Sequence, residues 1–323
     1  MNISDSEKSI ISQLKEEILS KWSVYHKEFP NVLFHYTSAD GLIGILSSKS
    51  IWMTDLRYMN DSSELQYSRS LIETRLKSRS NDSNLNEIQR EFIKRIVQTF
   101  DPFSNRFSVF ATCFCEDGNL LSQWRGYRGE GGGYAIGIDF LHTIRFIERR
   151  CVLRKVIYDV SDQTRLVDET IGAFLNSLST STTGKGLEDV TSTLLPEYCQ
   201  AFSLTVGEYL FCFKHPDFHQ EREWRLVYFS SVDLLFDRGQ STDLPFFRSY
   251  KGNVIPYYTV SFENAIKASV DDVYGIPFPI VELVIGPTIS SDLNQQSLKM
   301  IISSLNPDVV VNIKRSEIPL RWL

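Results

Sequence analysis

The chain has 323 residues, with 40 acidic and 34 basic side chains for a formal charge of −6, and 42% of its residues are hydrophobic. A folded chain of this size buries about 75% of its unfolded surface, which excludes a disulfide-stapled miniprotein, a disordered regulator and a fibre. No apolar run reaches the roughly 20 residues of a membrane span. An acidic surface also repels phosphate backbones at long range, which disfavours generic coating of nucleic acid but leaves room for a local basic pocket.

The five cysteines, Cys113, Cys115, Cys151, Cys199 and Cys212, are odd in number and form no C-x-x-C pair. Reduced thiols are expected from that pattern. The first residues are acidic, with no apolar signal-peptide core behind them, so the expected location is the cytoplasm and no membrane partner is expected.

Ile10, Ile11, Leu14, Ile18, Leu19 and Trp22 recur at helical spacing and predict an amphipathic helix over 6–24. Val32-Leu33-Phe34-His35-Tyr36 reads as a short strand, and Thr37-Ser38-Ala39-Asp40 fits a capping box that opens a helix over 39–47. Ile51-Trp52-Met53-Thr54 returns as a strand; Asn60-Asp61-Ser62-Ser63-Glu64 caps a further helix, and another spans 86–99. The stretches 106–116, 134–140 and 152–160 read as strands, with a short helix or loop at 120–127 and a glycine-rich turn at 129–133. Helices follow over 165–178 and 187–213, where Pro196 is placed to bend the second. Strands are predicted at 223–229, 254–262, 281–286 and 309–314, with a helix at 293–305. This order is that of an α+β protein: a helical extension over 1–29, then one domain over 30–323 with helical insertions at about 62–100 and 162–213.

Several motifs have spacings that exclude familiar chemistries. Gly129–Gly133 lacks the G-x-G-x-x-G spacing and precedes a strand, where a dinucleotide fingerprint follows one. There is no Walker A sequence, no H-E-x-x-H and no nucleophile elbow. Cys212, His215 and His219 have zinc-compatible spacing, but Pro216 keeps a regular helix from presenting both histidines on one face. No metal is expected, and a metal-assisted hydrolase is the least favoured function.

Three runs carry more. His35 ends an apolar strand just before a capped helix, where a side chain leaves the core. In Glu221-Arg222-Glu223-Trp224-Arg225 a strand beginning by Glu221 would set Glu221, Glu223 and Arg225 on one face, and two desolvated acids that close raise one pKa. Trp124-Arg125-Gly126-Tyr127-Arg128 sets aromatic faces beside guanidinium groups, a combination suited to a flat ring and a phosphate.

Taken together these runs resemble a bacterial family, domain of unknown function 2971. The matching pieces are Leu33–Thr37, Ile51–Thr54, Met59–Glu64, Ala111–Asp117, Leu121–Tyr127, Gly133–Gly137, Phe213–Pro216, Glu221–Arg225, Ile285–Pro287 and Ser316–Arg321. The pattern is in turn similar to that of the ADP-ribosyltransferase fold, which implies split mixed and antiparallel β-sheets with flanking helices. Transferases of that fold place a His on the first strand, an aromatic or hydroxyl residue on a middle strand and a Glu on a later one. His35 and Glu223 match the outer two, and Glu221-x-Glu223 resembles the paired acids of arginine-modifying members. No Ser-Thr-Ser run exists, so Tyr127, Trp124 or Thr112 would stand in the middle.

The resemblance implies an enzyme that cleaves the nicotinamide–ribose bond of NAD and passes ADP-ribose to a protein, nucleic acid or small molecule. Glu223 would stabilise the oxocarbenium-like transition state, Glu221 would orient the acceptor, and His35 with Tyr36 and Thr37 would hold a ribose. Trp124 or Tyr127 would stack on a ring, and Arg125 or Arg225 would meet the pyrophosphate. A toxin or phage-defence effector with a cognate inhibitor protein is the implied setting. The alternative is a non-catalytic module of the same fold that binds a nucleotide or a protein.

Overall fold

The computed structural model describes residues 4–23, 30–59, 62–100, 107–127, 133–144, 147, 151–231, 244–270, 279–287, 291–305 and 311–319. In chain order the elements begin α1 (Asp5–Trp22), β1 (Val32–Thr37), α2 (Ala39–Ser48), β2 (Ser50–Asp55), α3 (Ser62–Ser80), α4 (Glu87–Thr99) and β3 (Phe107–Cys115). They continue α5 (Leu121–Tyr127), β4 (Tyr134–Asp139), α6 (Phe140–Thr143), β5 (Cys151–Lys155), α7 (Val160–Ser181), α8 (Leu187–Asp189) and α9 (Leu195–Leu210). The last are β6 (Glu223–Ser231), β7 (Phe246–Tyr250), β8 (Asn253–Ser261), α10 (Glu263–Val270), β9 (Ile280–Ile285), α11 (Ser291–Leu305) and β10 (Asn312–Arg315). Among the described residues no helix is long and apolar enough to cross a membrane.

The chain divides into two compact units. One gathers three separated segments, 1–28, 60–105 and 156–218, and is helical; the other holds the sheet in 29–59, 106–155 and 219–323. In the helical unit the stripe of α1 buries Leu14, Ile18 and Trp22 in a core shared with Phe92, Phe174, Tyr198 and Phe202. Trp22 stacks on Tyr209 at 3.3 Å between ring centroids. The backbone stays helical from Leu187 to Leu210, through Pro196. A π-helical stretch at Val190–Leu194 precedes it, so the wider turn absorbs the missing N–H before α9 begins.

The sheet is mixed and open, with strand order β10-β9-β4-β1-β3-β2-β8-β7, with β6 paired to β3 and β5 paired to β6. Among the described strands only the β10–β9 pair is parallel. The longest pairing joins β3 to β6 over Phe107↔Ser231 through Cys115↔Glu223. The opposite edge of β3 is shared by two strands: β1 meets it at Phe34↔Cys115, while β2 meets it at Thr54↔Ala111 and Asp55↔Phe110. The sheet therefore forks at β3. Leu33, Phe114, Ile136, Trp224 and Leu283 pack the main core on one face, and Tyr36, Cys115, Trp124, Ala135 and Val284 form a smaller cluster.

Three elements escaped the sequence reading, α6, β7 and α10. A two-residue turn, Lys251-Gly252, with φ of 48° and 79°, closes the β7–β8 hairpin. Positive φ at both positions matches the right-handed twist of paired strands. The helix after β1 is capped by the Ser38 side chain, which accepts from the Gly41 N–H at 3.2 Å, and not by the predicted Thr37/Asp40 box. The glycine-rich turn at 129–133 lies outside the described residues apart from Gly133.

Candidate functional site at the sheet fork

The site begins with His35, on β1 beside the point where that strand leaves β3. Its Nδ1 lies 2.9 Å from the Cys113 carbonyl oxygen and so carries the proton, which turns Nε2 into the acceptor. The ring sits 5.8 Å from Phe114. Burial pushes the imidazole pKa down, and the Cys113 contact only partly opposes it, so the ring is neutral at pH 7. Thr37 is buried two residues on. A Cβ at Gly41 would lie 2.0 Å from its Oγ1, so α2 starts flush against the end of β1.

Tyr36 points the other way. Its hydroxyl donates to the Asp117 carbonyl at 2.8 Å and accepts from the Leu120 N–H at 2.9 Å. Its ring packs edge-on against Trp124 at 4.7 Å. Trp124 is 0% exposed, and its indole N–H is held by Asn119 Oδ1 at 2.9 Å. Gly286 explains part of the Ile285-Gly286-Pro287 motif: a Cβ there would fall 2.8 Å from the Gly133 carbonyl oxygen and 2.9 Å from the Trp124 ring. Trp124 is thus a core residue without an open face for a ligand ring. Arg125 is exposed on α5, and the Tyr127 side chain lies outside the described residues.

The acidic run is arranged differently from the sequence reading. Strand β6 begins at Glu223. Glu221 closes a 3₁₀ turn, Pro216–Glu221, and Arg222 between them has a φ of 44°. That left-handed residue breaks the period of two, so Glu221 does not continue the row of Glu223 and Arg225. The Glu221 carbonyl instead accepts from the Cys115 thiol at 3.0 Å. Glu223 faces a guanidinium: Arg225 Nε lies 2.7 Å from Oε1 and Nη2 lies 2.9 Å from Oε2. Both side chains are buried, so Arg225 is committed to a carboxylate and not presented to a pyrophosphate.

Register settles which groups meet. Phe34 pairs with Cys115 and Cys115 pairs with Glu223, so these three share a row and a face. His35, one residue on, leaves the opposite face with Phe114. The structure does not bring the His35 and Glu223 side chains to one face of the sheet. On the Phe114 and Trp224 side the carboxylate is Glu116, which the sequence reading passed over. It accepts from the Trp224 indole N–H at 2.9 Å and pairs with Lys155 at 2.9 Å. Burial works to raise its pKa, but these two donors outweigh it and hold the group below the usual carboxylate range.

The helical unit has a polar cluster of its own. Lys214 Nζ is 2.6 Å from Glu64 Oε1, both largely buried, which joins two of the quoted motif segments. Gln163, 0% exposed, donates to the Ile157 and Lys214 carbonyls at 2.6 and 2.9 Å and accepts from the Tyr67 hydroxyl at 2.7 Å. The sequence signal was present in Glu64 and Lys214, both inside motif runs; Gln163 gave none. Cys212 is buried in this unit while His215 is exposed, and no group of three or more His, Cys, Asp or Glu among the described residues is placed to hold a metal.

These features define a mixed α+β protein with a forked open sheet and flanking helices. Residues 123–226, about a third of the chain, match the model of a family described as a protein of unknown function, DUF2971. The match takes in the Trp124, Lys214 and Glu223–Arg225 runs; the motifs quoted before and after it lie outside. Comparison with curated proteins and with solved structures gives no match.

Proposed function

We propose that the chain is an ADP-ribosyltransferase-like protein that binds NAD at the fork, with His35 accepting a hydrogen bond from a ribose hydroxyl. The observation that carries this reading is the His35 ring itself. It is neutral, locked by the Cys113 carbonyl, and keeps Nε2 as an acceptor at the end of the first strand. Thr37 lies on the same face of β1, and exposed Arg125 is suited to the pyrophosphate. The fit is partial, because buried Trp124 offers no stacking surface and Arg225 is taken by Glu223.

Cleavage of the nicotinamide–ribose bond, with transfer to a protein, nucleic acid or small-molecule acceptor, is the activity implied by the resemblance. In that chemistry Glu223 stabilises positive charge developing on the ribose, a contribution of about 3–4 kcal/mol for a preorganised group. The reaction then requires Glu223 to exchange Arg225 for the ribose and to reach it from the face of the sheet opposite His35. A toxin or defence effector with a cognate inhibitor is the setting proposed with it.

Binding without turnover is the second reading, and the two-point Glu223–Arg225 clamp favours it. Calorimetric titration with NAD, together with release of labelled nicotinamide, separates the two. Binding that weakens about tenfold in His35→Ala supports the NAD site. Nicotinamide release by the wild-type chain selects the enzyme, and binding without release selects the module. Absence of NAD binding by the folded wild-type protein dismisses both.

A further inference from the structure

The β7–β8 hairpin and strand β2 present a face that the NAD reading leaves unused. Thr54 and Phe246 each pair with Tyr257, so these three side chains form one row across three strands. Trp52 and Arg248, two residues from Thr54 and Phe246, share that face. The rings are continuous: Trp52 to Tyr257 is 4.5 Å and Tyr257 to Phe246 is 5.7 Å between centroids. Trp52 is 45% exposed and Phe246 is 56% exposed. Arg248 lies over Trp52 at 5.4 Å and donates to Thr54 Oγ1 at 3.1 Å, while its Nε, closed off from solvent, has no hydrogen-bond partner among the described residues.

Charge points to the occupant. The chain as a whole carries −6, yet 244–261 contains Arg248 and Lys251 and no Asp or Glu. At the end of β2, Asp55 is already held through both oxygens by Arg57. We propose that this face is a docking surface for single-stranded nucleic acid, with successive bases stacked on Trp52, Tyr257 and Phe246 and phosphates met by Arg248 and Lys251. A strip three strands wide exceeds a single base, and aromatic stacking accepts any base because each has a flat face. The surface is local, so it does not conflict with the long-range repulsion set by the overall charge.

The test is fluorescence anisotropy with a labelled oligothymidylate and a labelled oligouridylate, at low and at physiological salt. The full-length chain should bind at least one at low salt, and binding should weaken as salt rises. Trp52→Ala and Phe246→Ala should each loosen it about tenfold, and Arg248→Gln should flatten the salt dependence. Phe247→Ala, on the opposite face of β7, should change nothing. Circular dichroism confirms that each variant is folded, and calorimetry with NAD keeps this outcome separate from the fork site. No binding at low salt overturns the proposal, as does equal loss in Phe247→Ala. A stable dimer that Phe246→Ala dissociates overturns it too and assigns the face to a second copy of the chain.

Discussion

The fork and the hairpin are built from the same kinds of residue with opposite exposure. At the fork Trp124, Tyr36, Glu223 and Arg225 are 0%, 4%, 5% and 3% exposed, whereas in the hairpin region Trp52, Phe246 and Tyr250 are 45%, 56% and 48% exposed. An aromatic residue beside an arginine reads alike in both places along the sequence, as Trp124-Arg125 and Trp224-Arg225 at the fork and as Phe247-Arg248 in the hairpin. At the fork the loop after β3 folds over Phe34, where a Cβ on Gly118 would strike the ring at 2.5 Å, and α5 brings Trp124 against Tyr36. At the hairpin β8 turns Tyr258 and Val260 into the main core, but the side chains of β7 and Trp52 of β2 stay largely in water. Aromatic and charged residues mark a ligand surface only where the chain leaves them uncovered.

The contrast can be broken most forcefully at the buried pair. Arg225→Ala removes the two-point guanidinium clamp from the buried Glu223 carboxylate and should cost about 3–5 kcal/mol in urea unfolding. The double variant Glu223→Met/Arg225→Met should recover most of that loss, because two apolar side chains leave no charge behind. The same logic makes Glu223→Gln an unclean probe of turnover, since it removes the partner of a buried guanidinium. Next in size is Gly286→Ala, whose added methyl meets the Gly133 carbonyl and the Trp124 ring; a loss of about 1–3 kcal/mol is expected, and near-UV dichroism should report a disturbed tryptophan.

A smaller effect separates His35 by pH. Burial lowers its pKa below the ordinary 6.5, so the unfolded chain takes up the proton first. Stability tied to this group is complete above about pH 6.5 and falls as pH drops through that value toward the lower folded-state pKa. His35→Gln should remove that part of the slope between pH 7.5 and 5.5 in thermal melts. The smallest effect belongs to the exposed strip: Phe246→Ala and Trp52→Ala should move stability by no more than about 0.5 kcal/mol. A larger loss would mean that the hairpin aromatics are structural after all, and the difference between the regions would vanish.

Most elements were legible because periodicity and end signals are local properties. The stripe of α1, the Asn86 cap of α4 and the alternation of β1, β3 and β6 all lie within a few residues of what they specify. β7 was missed although Lys251-Gly252 marked its turn, because each of its faces mixes apolar and polar residues, Phe246 with Arg248 and Phe247 with Ser249, and shows no alternation. The paired-acid row failed at one residue: Arg222 adopts a left-handed conformation, for which its sequence gave no warning.

By itself the sequence determined where helices and strands form and which side chains are chemically capable, since both depend on neighbours along the chain. Only the tertiary structure decided which of those groups meet. The placement of His35 opposite Glu223, the Arg225 clamp, the burial of Trp124 and the bare face of the hairpin follow from strand register and from what folds over each face. A shift of one residue in pairing sends a side chain to the other side of a sheet, and nothing within a single strand encodes that choice.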